Sequence, residues 1–142
     1  MTAKEFLQRY RDIDDGINAK LELIHKLKLR AMSVSSPIGT DIHTNSPSDP
    51  VGSITQKIVD LEQEINNDID KLVDIQREIY EVIAKVSEQR LRTILESFYL
   101  NRKSFEQISV DMNYCYRHIC RLHGKALAEV DHVLECHISP VL

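Results

Sequence analysis

The residues that could do chemistry lie in the last third of the chain, where basic side chains gather. Residues 90–125 hold seven Lys or Arg against three Asp or Glu, a local net charge of +4, whereas the whole 142-residue chain has a net charge of −4. A modest basic patch on an acidic protein suits a polyanionic partner at one face. A solvated helix surface without any partner would explain this charge equally well.

Arg117 and Arg121 are one helical turn apart, so both side chains can act in the same groove of a nucleic acid. Arginine reads guanine edges with two hydrogen bonds and also clamps phosphates. Tyr116 could donate a hydrogen bond to a phosphate or touch a thymine methyl group. In the alternative interpretation, the two arginines form ion pairs with Glu106 and Asp111. The side chains expected to contact double-stranded DNA are Arg102, Lys103, Ser104, Tyr116, Arg117, Arg121 and Lys125.

The pattern around these residues predicts a helix-turn-helix. Ser104 with Gln107 three residues later predicts a helix start, where backbone N–H groups and positive charge would hold a phosphate. Asn113 is the natural candidate for a left-handed turn residue before the next helix, which we expect from about Cys115. Two crossing helices also need apolar or small residues at fixed positions about the turn. Those positions are filled by Ile108, Ser109, Met112, Tyr114, Ile119 and Leu122.

The first 86 residues predict two long helices that carry one apolar stripe each. Thr2 and Glu5 form a capping-box pattern, and the stripe behind them runs to about residues 30–32. In residues 33–52, Pro and Gly are interleaved with Ser, Thr, Asn and Asp, which indicates a flexible loop. The second helix is expected over residues 53–86, with an acidic opposite face.

Both stripes must be buried, and the loop is long enough for the chain to turn back. The predicted fold class is therefore all-α: a long antiparallel helical hairpin resembling a coiled coil over residues 1–86, followed by a helix-turn-helix domain over 87–135 and a tail over 136–142. Ser87 is expected to cap the first helix of that domain. A single hairpin leaves the flanks of its stripes exposed, so we also expect a homo-oligomer.

Other classes of function find little support in the residues. The four glycines are scattered, which disfavours a phosphate-cradling loop, and no nucleophile has an ordered base beside it, so we expect no enzyme activity and no cofactor. Cys120, His123, Cys136 and His137 are zinc ligand types, but they lack the paired spacing of structural zinc sites, so no metal is expected. No apolar run is long enough for a membrane helix, and three cysteines suit a reducing cytoplasm.

Four segments of the sequence resemble the DNA-binding region 4 of bacterial sigma factors. They are Leu95-Glu-Ser-Phe-Tyr99, Ser104-Phe-Glu-Gln-Ile-Ser109, Met112-Asn-Tyr114 and Arg117-His-Ile-Cys-Arg-Leu-His-Gly-Lys-Ala-Leu127. More narrowly, the whole chain is similar to small phage and prophage proteins with paired N-terminal helices, which are similar in turn to phage late-gene transcription regulators of the ArpU and RinA kind. Two residues depart from the pattern: Cys115 stands where Ser usually caps the recognition helix, and Phe98 where a basic residue often precedes the Tyr.

The resemblance implies a sequence-specific DNA-binding transcriptional regulator of phage or prophage type, acting in the cytoplasm of a bacterial host. Bacterial RNA polymerase is then a further candidate partner. The alternative is a protein-interaction module that binds RNA polymerase or another host protein through the helical hairpin, without reading DNA by itself. The two hypotheses share one fold and differ in whether Arg117 and Arg121 matter for nucleic-acid binding.

Overall fold

The computed structural model describes residues 1–34 and 50–138, and within these ranges the chain is helical without any strand. The prediction of an all-α fold is therefore confirmed. The helices are α1 (Ala3–Val34), α2 (Pro50–Ile83), α3 (Gln89–Leu95), α4 (Phe105–Met112) and α5 (Tyr116–Ile138). A π-helical turn over Glu96–Leu100 continues α3.

Helix α1 begins with the predicted capping box. The Glu5 backbone N–H donates to Thr2 Oγ1 at 3.2 Å, and the Thr2 N–H donates to Glu5 Oε2 at 3.1 Å. These bonds satisfy two backbone donors that a helix start leaves without partners. The next donor, the Ala3 N–H, bonds Asp131 Oδ1 of α5 at 2.6 Å. The start of α1 is thereby attached to the last helix of the chain.

Helix α2 is shifted by three residues from its predicted position at both ends. It begins at Pro50 rather than Ser53, because proline fits the first helical turn, where its missing N–H costs nothing. It ends at Ile83 rather than Val86, and the backbone N–H groups of Lys85 and Val86 then donate to carbonyls only three residues earlier, which closes the helix. Most of the predicted flexible loop, residues 35–49, lies outside the described residues.

Two further boundaries differ from the prediction. Ser87 does not cap α3: the cap position is Glu88, and no side chain makes the capping bond there. The Ser87 N–H and hydroxyl instead donate to the carboxylate of Glu129 on α5, at 3.2–3.3 Å. Helix α5 runs to Ile138, so the predicted tail is helical over residues 136–138, and residues 139–142 lie outside the described part.

The chain divides into two compact units. One unit combines Met1–Asp14 with the chain from Lys71 onward, and its core joins side chains of all five helices and the π turn. Its fully buried large side chains are Leu7, Ile79, Ile83, Val86, Leu91, Ile94, Leu95, Tyr99, Ile108, Ile119 and Val130. Each buried aliphatic side chain contributes about 1.5–3 kcal/mol through the hydrophobic effect.

The other unit consists of the described residues between Asp15 and Asp70, from α1 and α2. Its buried apolar side chains come from both helices: Ile17, Ile24, Ile54 and Ile65. Lys20 of α1 bridges two carboxylates of α2, with its Nζ 2.6 Å from Asp68 Oδ2 and 3.5 Å from Glu64 Oε2. Hydrogen bonding to Asp68 is the main cause that raises the pKa of Lys20.

None of the helices in residues 1–34 and 50–138 is both long and apolar enough to cross a bilayer.

Candidate nucleic-acid interface

Helices α4 and α5 are joined by a three-residue turn whose backbone follows the predicted pattern. Ser104 precedes α4, and its Oγ accepts a hydrogen bond from the Gln107 N–H at 3.2 Å. Asn113 ends α4 in the left-handed conformation, with φ 57° and ψ 39°, and its N–H donates to the carbonyls of Ser109 and Val110. The Tyr114 N–H donates to the same Ser109 carbonyl at 3.0 Å. The predicted helix start at Ser104 and the predicted left-handed conformation of Asn113 are therefore confirmed.

The inner faces of α4 and α5 are apolar at the expected positions. Ile108, Ile119 and Leu122 are buried in the core, and Met112 and Tyr114 are partly buried against it. The small side chain between the helices, Ser109, is half-buried, and its hydroxyl donates to the Glu106 carbonyl at 2.8 Å.

An aromatic cluster fixes α5 against the π turn. The Phe98 and Phe105 rings stack with centroids 4.4 Å apart, and His123 of α5 lies 4.9 Å from Phe105. The hydroxyl of fully buried Tyr99 lies 2.9 Å from His123 Nε2. On the other side of Phe98, the guanidinium of Arg11 from α1 lies 4.4 Å from the ring centroid. These contacts define the rotation of α5, and hence which of its side chains face outward.

Burial shifts the titration of both partners in the Tyr99–His123 hydrogen bond. It raises the pKa of Tyr99 to about 12. It lowers the pKa of His123, and the charge of Lys4 acts in the same direction. Both shifts favour the uncharged form of the side chain.

The outward face of α5 presents two arginines without an ion-pair or side-chain hydrogen-bond partner in the described part of the chain. Arg117 and Arg121 are both exposed, and neither makes an ion pair or side-chain hydrogen bond with the described residues. The alternative that they pair with Glu106 and Asp111 is therefore not seen: the Asp111 carboxylate instead binds Lys103 Nζ at 2.9 Å. One turn of helix, about 6 Å of rise, separates the two guanidinium-bearing residues.

Tyr116 lies beside this pair at the start of α5 and is 49% exposed. Its ring meets the edge of Phe105 at a centroid distance of 6.3 Å, so one edge is packed and the rest is accessible. Hydrogen bonding with Cys120 is the main cause that raises the pKa of Tyr116. The phenol therefore stays protonated at neutral pH and can donate to a phosphate.

The other predicted contact residues are engaged within the protein to different degrees. Lys125 Nζ lies 3.5 Å from Glu88, and both it and Lys103 keep more than two-fifths of their side chains exposed. Arg102 is more enclosed: its Nη1 donates to Asp14 Oδ2 at 3.0 Å, and its side chain is 30% exposed. The structure thus leaves Arg117 and Arg121 open, holds Lys103 and Lys125 in surface ion pairs, and attaches Arg102 to α1.

Two arginines that were not among the predicted DNA contacts, Arg90 and Arg92, are engaged within the protein. Arg90 is exposed on α3, pairs with Glu88 at 3.3 Å, and has its pKa raised mainly by hydrogen bonding to Tyr114. Arg92 donates to the carbonyls of Val86 and Ser87, just beyond the end of α2. In the sequence, these two arginines are indicated only by the local excess of basic residues. That excess does not distinguish arginines that bind within the protein from arginines that remain open to a partner.

Within residues 1–34 and 50–138, no group of three or more His, Cys, Asp or Glu side chains is arranged to hold a metal ion. Cys115 and Cys136 are exposed and Cys120 is half-buried, and all three are free thiols.

Comparisons with known proteins give one match. No curated protein and no solved structure matches the sequence. Residues 47–131 match a family model described as "Protein of unknown function (DUF1492)". The match includes α2, α3, the π turn, α4 and most of α5. Because it covers more than half of the chain, this protein belongs to the DUF1492 family.

Proposed function

We propose that this protein is a sequence-specific DNA-binding transcriptional regulator of phage or prophage type, in which α4, the Asn113 turn and α5 form the helix-turn-helix. The observation that carries the proposal is the pair of exposed arginines on α5, Arg117 and Arg121, which have no ion-pair partner among the residues that the structure describes. Exposed guanidinium groups one turn apart on a rigidly packed helix suit contacts to guanine edges and phosphates in a major groove.

The remaining basic side chains supply phosphate contacts in this proposal. Lys103 and Lys125 lie on the surface in ion pairs, which are worth only about 0–1 kcal/mol and can be exchanged for a phosphate. Ser104 and the start of α4 add backbone N–H groups with a favourable dipole. Arg102 adds positive potential, while its guanidinium stays with Asp14.

The long helices fit the antiparallel hairpin of the proposal. Arg9 pairs with Glu78 at 2.9 Å, and Lys20 pairs with Asp68 at 2.6 Å. Residues later in α1 thus pair with residues earlier in α2, as antiparallel helices require. In a homo-oligomer, two such chains would bring two recognition helices to spaced half-sites on one duplex. The chain would act in the cytoplasm of its bacterial host, where RNA polymerase is a candidate second partner.

The proposal is tested by selecting phage and host genomic DNA fragments with the purified protein at near-physiological salt. The wild type is compared with Arg117→Ala/Arg121→Ala and with a matched control, Lys71→Ala/Arg77→Ala, which removes two exposed charges from α2. We expect one promoter-proximal site to be enriched by the wild type and the control but not by the α5 variant. Equal weak binding by all three proteins would contradict the proposal and favour the protein-interaction module.

A further inference from the structure

Exposed apolar side chains recur on both helices of the unit between Asp15 and Asp70. On α1, Leu21 is 49% and Leu29 is 53% exposed; on α2, Val59 is 41% and Ile69 is 42% exposed. Single exposed apolar residues are ordinary, but a contiguous group marks an interaction surface. These four side chains form such a surface only if they lie on one face of the unit.

The Lys20–Asp68 ion pair gives the reference direction on each helix from which the positions of these side chains follow. Leu21 and Ile69 directly follow the paired residues, so each is turned by 100° about its helix axis from the ion pair. In two antiparallel helices, this rotation places Leu21 and Ile69 on one flank of the unit. That flank is opposite the one that holds the ion pair. Leu29 is nine residues beyond Lys20 and Val59 is nine residues before Asp68, so each is turned by 180° about its helix axis from the ion pair and also lies on the side away from it. The unit therefore has a polar flank with the ion pair and an apolar flank formed by Leu21, Leu29, Val59 and Ile69.

We propose that the occupant of this apolar flank is a second copy of the chain, placed so that α1 of one protomer packs on α2 of its partner. The charges of the two helices favour this pairing. Residues 15–34 hold four basic and two acidic side chains, whereas residues 50–70 hold one basic and five acidic ones. Packing α2 on α2 would oppose five carboxylates with five, and packing α1 on α2 opposes unlike charges.

The size of the flank is sufficient for a specific contact. Helical segments of about 20 residues are about 30 Å long, and packed helices lie about 8–10 Å apart. Two such layers face to face would bury about 1,200 Å² in total, which is at the lower limit of specific protein interfaces. In a two-fold arrangement with its axis along the helices, Leu21 of one protomer meets Ile69 of the other, and Leu29 meets Val59.

This inference rests on the proposed function in one respect: the dimer is the assembly that would present two α5 helices to one DNA duplex. Its test contains no DNA, so the dimer and the DNA-binding function can fail independently of each other.

The test is sedimentation analysis of the full chain at micromolar concentrations. Leu21→Glu is compared with Leu23→Glu, a matched control because Leu23 is 46% exposed on the same helix but points away from the apolar flank. We expect the wild type and Leu23→Glu to dimerise equally and Leu21→Glu to weaken dimerisation by at least about tenfold, because two carboxylates would enter the interface. A monomeric wild type, or equal weakening by both variants, would overturn the proposal.

A mixing experiment tests the pairing of α1 with α2. Leu21→Glu and Ile69→Arg should each be monomeric alone, with helical circular dichroism unchanged. Mixed together they should form a heterodimer, because one contact then joins Glu with Arg and the other keeps Leu against Ile. Failure of the mixture to dimerise would contradict the α1-on-α2 arrangement.

Discussion

Asp14 of α1 accepts a hydrogen bond from Arg102 at 3.0 Å, and Arg102 is one of two non-glycine residues in the described chain with a positive φ. Its φ is 59°, in the left-handed region that L side chains rarely adopt. The unfavourable backbone and the favourable ion pair occur at the same residue, immediately before α4. The start of α4 is thus fixed by a contact to a helix 88 residues earlier in the chain.

Substitutions at Arg102 can separate these two effects. Both Arg102→Ala and Arg102→Gly remove the side chain, but only glycine adopts a positive φ without cost. We expect Arg102→Ala to be less stable than Arg102→Gly by about 1 kcal/mol in urea unfolding. Equal stabilities would show that the backbone at Arg102 carries no strain.

The serines at positions 87 and 104 should respond differently to removal of the hydroxyl. Ser104 makes the capping bond of α4, so Ser104→Ala should cost about 1 kcal/mol of stability. Ser87 caps no helix, and its backbone bond to Glu129 survives in Ser87→Ala, so that variant should lose less than about 0.5 kcal/mol. Chemical denaturation of the two variants measures the difference, and a larger loss at Ser87 would contradict the assignment of the cap.

Protonation of His123 should make stability fall on the acid side of neutrality. Burial lowers the pKa of His123 in the folded state, so as the pH falls below about 6.5 the unfolded chain binds this proton first. Stability is therefore full above that pH and is lost until the lower, folded-state pKa is passed. His123→Gln should show a smaller loss between pH 7.5 and 5.5 than the wild type, and an equal loss would contradict the role assigned to this histidine. Thermal unfolding across this range gives the comparison.

Tyr99 should titrate separately from exposed tyrosines at high pH. Burial raises the pKa of Tyr99 to about 12, so the unfolded chain loses this proton first as the pH rises past about 10. Stability should decline over that interval, and ultraviolet titration should show a late step from Tyr99. The late step should vanish in Tyr99→Phe. Its persistence in that variant would assign it to another residue.

Local features of this fold could be predicted from the sequence, while long-range ones could not. The Thr2 capping box, the Ser104 cap and the left-handed Asn113 depend on residues within a few positions of each other, and all three are confirmed. The prediction for Ser87 was wrong because Glu129, 42 residues later, takes its donors. The start of α2 at Pro50 also has a local signal, because proline favours the first turn of a helix. The prediction from the apolar stripe alone placed this start at Ser53.

The candidate site also has local features that the sequence predicts and long-range contacts that it does not predict. That Arg117, Arg121 and Tyr116 share an exposed face follows from helical spacing and from the apolar positions of α5. Which basic residues are engaged by carboxylates depends on tertiary packing. The contact of Arg102 with Asp14 joins residues 88 positions apart, and nothing in the local sequence indicates it.

The most direct test of the central claim is the base preference of Arg117→Ala on the selected DNA site. Affinities for that site and for a scrambled duplex are measured over a range of salt concentrations, with Arg77→Ala as the control. If Arg117 reads a base, the variant should lose about 1–3 kcal/mol on the selected site with a relaxed preference at one position, and Arg77→Ala should retain both. An unchanged site preference in Arg117→Ala would contradict the role assigned to α5.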